Sequence, residues 1–167
     1  MNAMLLLVQK LSCDAEDQIL SEVSLAIEKP ETYFEKFEDR LDERGIESPI
    51  DELAWISLVD ALLDEDLAFE IDWKVTGVYI CDVVDELLDR KKMACISWEE
   101  FEDGEFDGLP TPQYLNEVSK KLMEQGISLA CLDIECDCYV LVTVPSSDID
   151  EIKKLAQEAG YKIQDSF

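Results

Sequence analysis

Three cysteines crowd one short stretch, Cys131, Cys136 and Cys138. Their thiolates, with a fourth from Cys81 or Cys95, would satisfy a tetrahedral zinc ion. The spacing argues otherwise, because no Cys-x-x-Cys pair occurs and the chain has no histidine to complete a mixed site. Six cysteines at irregular intervals (Cys13 is the sixth), in a chain of 167 residues that needs no covalent staples, read as reduced thiols acting as small apolar or turn residues. No metal and no cofactor is expected.

Asp133-x-Glu135-x-Asp137 imitates the opening of a calcium loop. Such a loop needs glycine at its sixth position and a bidentate glutamate at its twelfth, and those positions hold Cys138 and Val144. Solvated turn carboxylates are the expectation. Without histidine, acid–base chemistry would fall to carboxylates. Asp60, Asp72 and Asp133 form a candidate pocket beside Trp55 and Trp73, set against the plainer reading in which Asp60 pairs locally and the other two face water. The segment Glu99-Glu-Phe-Glu-Asp-Gly-Glu-Phe-Asp107 interleaves acids with aromatics. Glu102, Asp103 and Glu105 could steer a basic protein while Phe101 and Phe106 anchor it; a loop that merely tucks its aromatics into its own domain shows the same letters.

Forty acidic against fourteen basic residues leave a formal charge of -26. That potential repels phosphate backbones and anionic lipid and favours encounter with cations. Nucleic acid is therefore an unexpected ligand unless the chain mimics it. Hydrophobic residues at 47% supply a core despite the charge. The opening apolar run has no basic residues before it and no small-residue cleavage site after it, and reads as a helix and not a signal, and no stretch approaches the ~18 apolar residues of a membrane span. A cytoplasmic protein is the expectation.

Residues 1–66 read as helices. Ser12 and Asp14 are capping candidates before Ile19, Val23 and Ile27; Pro30 opens a helix that Gly45 ends; Ser48-Pro49-Ile50-Asp51 offers a cap to a helix, Leu53 to Leu63, that is apolar nearly all round. From Leu67 the period changes. Leu67, Phe69, Ile71 and Trp73 alternate with polar neighbours as a strand, Thr76 can cap a helix striped with Ile80, Val83, Val84, Leu87 and Leu88, and 97–110 is a loop. Thr111-Pro112 starts another helix. Ile127–Ile134 and Tyr139–Val144 read as a hairpin, the second strand apolar on both faces and so central, and Ser147-Asp148-Ile149-Asp150 is a capping-box variant before a last helix and a short strand from Tyr161 to Gln164. The order predicts an α+β fold, with residues 1–66 packed on a four-stranded, mainly antiparallel, ferredoxin-like (split β-α-β) sheet in 67–167.

Three segments, Glu43-Arg-Gly-Ile-Glu-Ser-Pro-Ile-Asp-Glu-Leu-Ala-Trp55, Phe69-Glu-Ile-Asp-Trp-Lys74 and Leu132-Asp-Ile-Glu-Cys-Asp-Cys-Tyr-Val-Leu-Val-Thr-Val-Pro145, resemble an uncharacterised bacterial family of acidic intracellular proteins, of the domain-of-unknown-function kind. The resemblance implies a cytosolic bacterial protein and brings no catalytic residue. The function expected is non-catalytic protein binding, immunity- or inhibitor-like, toward a basic partner. A small carboxylate enzyme or ligand-binding domain, and a nucleic-acid mimic, are the alternatives.

Overall fold

The computed structural model describes residues 2–75 and 77–167, so the capping role expected of Thr76 lies outside the described residues. The helical half comprises α1 (Ala3–Leu11), a 3-10 turn (Cys13–Ala15), α2 (Glu16–Glu28), α3 (Pro30–Lys36), α4 (Glu38–Asp42) and α5 (Leu53–Asp64). Then follow β1 (Phe69–Asp72), α6 (Gly77–Arg90), α7 (Glu99–Glu102), α8 (Thr111–Met123), β2 (Ile127–Leu132), β3 (Cys138–Pro145), α9 (Ile149–Glu158) and β4 (Ile163–Gln164).

The expected caps fare unevenly. Ser12 turns its hydroxyl back to the Val8 carbonyl, closing α1 instead of starting α2. Helix α5 begins only at Leu53, with no side-chain cap from Ser48 or from Glu52 in the cap position. Its start is set by burial, since Leu53, Trp55 and the run Ile56–Leu62 are all buried. Asp148 precedes α9 and likewise makes no capping bond. Gly45, at φ 76, ends the α4 segment by taking the left-handed conformation that other residues resist.

The sheet runs β1-β3-β2-β4, antiparallel at every junction. As its two-sided apolar pattern requires, β3 is interior. One face (Ala130, Leu132, Val140, Val142, Val144) packs on α1, α2, α5 and α9; the other (Ile71, Ile127, Leu129, Cys131, Leu141) packs on α6 and α8.

β1 and β2 are parallel with β3 inserted between them, which is a split β-α-β unit. The ferredoxin-like expectation fails at the last strand, because β4 joins the outer edge of β2 and not that of β1. The physical reason is handedness. Both crossovers, β1 to β2 and β3 to β4, move the same way across the sheet while their strands run in opposite directions. Right-handed connections then put α9 on the face opposite α6 and α8.

Two further corrections follow from packing. Trp73, expected on the buried side of the first strand, lies just past β1 and is 50% exposed. The 97–110 loop contains a short helix, α7, held by a stack in which Phe101 meets Trp98 and Tyr114 edge-on and Phe106 at a tilt.

Candidate functional site

A cleft of about 840 Å³ opens between the α4–α5 segment, β1 and the tip of the β2–β3 hairpin. Its inner wall is an ion-pair network built on two arginines four residues apart. Arg44 donates from Nε and Nη2 to a single oxygen of Asp60, at 2.9 and 2.6 Å, and from Nη1 to Glu70 at 3.1 Å. Arg40 donates to Asp64 at 2.6 Å, to Glu22 at 3.0 Å and to the Tyr33 hydroxyl at 2.7 Å, with its guanidinium 4.2 Å above the Phe37 ring. The remaining Asp60 oxygen and Arg40 Nε face each other at 3.6 Å, both buried and neither hydrogen-bonded.

Burial sets the direction at Asp60 and is outweighed at the two arginines. It pushes the Asp60 carboxyl above the ordinary aspartate range even though the Arg44 hydrogen bond and the charges of both arginines pull the other way. Burial also opposes charge on the guanidiniums. For Arg44 the hydrogen bond and charge of Asp60 outweigh it, and for Arg40 the Tyr33, Glu22 and Asp60 contacts do, so both are held more firmly protonated than usual. Burial raises the Tyr33 hydroxyl to about 12. The arginines are thus spent on internal partners, and Asp60 is clamped, not poised to shuttle a proton. Around that clamp the cleft is acidic: Glu43, Glu52, Asp60, Asp64, Glu70, Glu135 and Asp137 line it against two arginines, a net excess of five acids over a floor of Ile46, Ile50, Ile56, Leu63 and Ile134, and Glu43, Glu52, Glu135 and Asp137 are the ones that make no ion pair among the described residues.

The five residues expected to share one pocket are divided among separate recesses, with Asp133 lining one beside Trp55 and another beside Trp73. Asp60 lines the large cleft. Trp55 is buried in a neighbouring recess, donates its indole N–H to the Asp133 carbonyl at 2.8 Å and stacks on Tyr161 at 4.6 Å. Trp73 lines a small hollow of about 180 Å³ with Asp133, Cys131, Cys136 and Cys138. Asp72 accepts from the Lys74 amide on the surface. On the acidic loop, Glu102, Asp103 and Glu105 stand in water, but Phe101 is 3% exposed and Phe106 half-buried against it. The two aromatics expected as partner anchors are core residues of the α6–α8 face.

The thiols also differ from expectation. Cys136 and Cys138 are joined by a disulfide, while Cys13, Cys81, Cys95 and Cys131 are free. The bend through residues 135–137 at the hairpin tip brings the two Cα atoms within 5.5 Å, inside the range a disulfide spans. The tip itself is an Asx turn, Asp133 Oδ1 accepting from the Glu135 amide at 2.8 Å, which leaves the calcium-like carboxylates as turn residues. Among the described residues no three Cys, Asp or Glu side chains converge as a metal's ligands would.

Sequence reasoning singled out Asp60 but missed Arg40, Arg44, Glu22 and Tyr33. The signal available was a pair of arginines at i, i+4 in an otherwise acidic stretch, in a chain with few cations to spare.

The fold and cleft define an α+β domain with an acidic, apolar-floored recess. Residues 3–167 match the family model described as Domain of unknown function (DUF6630), and the chain belongs to that family. No curated protein and no solved structure matches it. Among the described residues no helix is long and apolar enough to cross a membrane.

Proposed function

We propose that this chain is a non-catalytic binding module for a basic protein, and that the cleft under Arg40 and Arg44 seats a lysine- or arginine-bearing segment of that partner. One observation carries the reading: the cleft joins a five-carboxylate excess to an apolar floor, and its own cations are already committed. Carboxylates steer and select, while desolvated aliphatic contact, with Ile50 38% exposed at the rim, supplies the slow dissociation that charge alone does not. Covering a basic surface in this way is inhibitor- or immunity-like action. The exposed Glu102, Asp103 and Glu105 add long-range attraction. The net charge disfavours nucleic acid and anionic membrane. The alternative, a carboxylate enzyme, loses support because Asp60, Asp72 and Asp133 do not share a site.

The test is calorimetric titration of the full chain with a short lysine/leucine peptide at low and high salt. Glu43, Glu135 and Asp137 are exposed and make no ion pair among the described residues. Their joint change to glutamine or asparagine should weaken binding about tenfold, since each removed charge contributes a fraction of the 1.4 kcal/mol that makes a decade. Neutralising Glu102, Asp103 and Glu105 should mainly slow association. Unchanged affinity in the cleft variant would rule the seat out.

A further inference from the structure

The Cys136–Cys138 bridge sits at the lip of the cleft, on the exposed hairpin tip, where Cys136 is exposed and Cys138 half-buried against the α5 side of the core. It flanks two hollows, the large cleft and the small one that holds Trp73. A disulfide that closes a ring of only three residues at a solvent-facing turn does not staple distant elements, since the chain it constrains is already pinned by β2–β3 pairing. It is placed where a thiol can reach it.

We propose that Cys136–Cys138 is a thiol–disulfide exchange site, and that its acidic surroundings select cationic and neutral thiols over anionic ones.

Access assigns the sulfurs their roles. An incoming thiolate bonds to Cys136 Sγ as the Sγ–Sγ bond breaks. The electron pair leaves on Cys138 Sγ, which takes a proton from solvent. A second thiol, as thiolate, then attacks the bound thiol's sulfur, releases Cys136 as a thiolate that is protonated in turn, and departs as a disulfide. Two electrons and two protons pass to the chain, and two thiols become one disulfide. Without the second thiol the Cys138 thiolate reattacks and closes the ring. Cys131, which lines the same small hollow, does not compete, because burial pushes its thiol up to about 11 and keeps it protonated near neutrality. Selectivity comes from charge: Glu135 and Asp137 flank Cys136 in sequence, and Glu43 and Glu70 line the cleft it borders. A cationic thiol is concentrated there and an anionic one repelled, to an extent that falls as salt screens the field. The inference does not depend on whether a polypeptide occupies the cleft.

The experiment treats the full chain, purified without reductant, with cysteamine or with 2-mercaptoethanesulfonate. Acid-quenched, alkylated samples are followed by intact mass and peptide mapping. Each rate is divided by the same thiol's rate on uncharged hydroxyethyl disulfide, which removes intrinsic reactivity. The expected result is a mixed disulfide forming first on Cys136, with cysteamine favoured about tenfold at low ionic strength. That preference should fall toward unity near 1 M salt. The Glu135→Gln/Asp137→Asn variant, which alters only exposed turn positions, should lose much of the preference. Three outcomes would each overturn the proposal: thiols at Cys136 and Cys138 that alkylate without any reductant, a bridge that opens only in denaturant, or equal normalised rates for the two thiols at low salt.

Discussion

Arg44 binds one oxygen of Asp60 through two nitrogens, while the other oxygen faces Arg40 Nε at 3.6 Å without a hydrogen bond. Asp60 is 4% exposed, so its charge is tolerable only while the guanidiniums stay. Arg44→Met should therefore cost about 3 kcal/mol in urea unfolding, and the double change Arg44→Met/Asp60→Leu should recover most of it, because it removes the stranded charge along with its partner. A single variant within about 0.5 kcal/mol of the parent would show that water reaches Asp60.

Phe101 and the acids beside it should part company. Phe101→Ala removes a ring packed on Trp98, Phe106 and Tyr114 and should destabilise by about 3–5 kcal/mol. Neutralising Glu102, Asp103 and Glu105 together should move stability little, because all three are exposed. Thermal melts of the two variants compare them directly.

Gly77 opens α6 against the Tyr114 ring, and a Cβ there would overlap a carbon of that ring. Tyr114 is buried, with its hydroxyl 3.4 Å from Cys81 Sγ, so it cannot swing out cheaply. Gly77→Ala should cost about 1–3 kcal/mol. Gly77→Ala/Tyr114→Leu should cost less than the sum of its single changes, and strict additivity would mean that the ring and the new methyl do not meet.

Lys91 Nζ donates to the Thr143 carbonyl, and burial lowers its pKa to about 8. The folded state then releases this proton before the unfolded chain does, whose lysine titrates near 10.5. From pH 8 upward the unfolded state binds more protons, so this group makes stability rise with pH. The window closes at about pH 9, where thiols of the unfolded chain begin to ionise while burial keeps Cys81 and Cys131 protonated to about 11. Chemical denaturation at pH 8 and 9 should show a gain that Lys91→Met abolishes; a flat profile in the parent chain would refute it.

The excess of acid should make the fold salt-dependent. Stability at neutral pH should rise between low and about 0.5 M salt as repulsion is screened. Acidification adds a signed contribution. The folded pKa of Asp60 is raised, so the folded state holds that proton more tightly and stability rises as pH falls through it. Below the ordinary values of 3.8 and 4.5 the sign reverses for Asp14, lowered by its hydrogen bond to Arg90, and for Glu100, lowered by its bond to Lys121. Their contributions are present above those values and lost as the carboxyls protonate. Melting temperature should pass through a maximum at mildly acidic pH, and a monotonic fall from pH 7 would show that depressed carboxylates dominate.

Periodicity along the chain determined the element types. The all-round apolar run at 53–63 could only be a central helix, the stripe from Ile80 to Leu88 an amphipathic one, and the two-sided apolar strand at 139–144 an interior one, because each pattern matches a local period and a degree of burial. Composition likewise set the sign of the electrostatics. Tertiary structure decided what depends on juxtaposition. The edge that β4 joins turns on crossover handedness, and Phe101 and Phe106 face inward because Tyr114, from another helix, completes their stack. Asp60 became the buried link between Arg40 and Arg44 only when those arginines, with residues 22, 33, 64 and 70 bonded to them, were brought to α5. The bridge between Cys136 and Cys138 turns on the path of a hairpin tip. None of these has a period; each is a meeting of segments remote in sequence or a turn's three-dimensional course, and such meetings are settled by the packing of the whole chain.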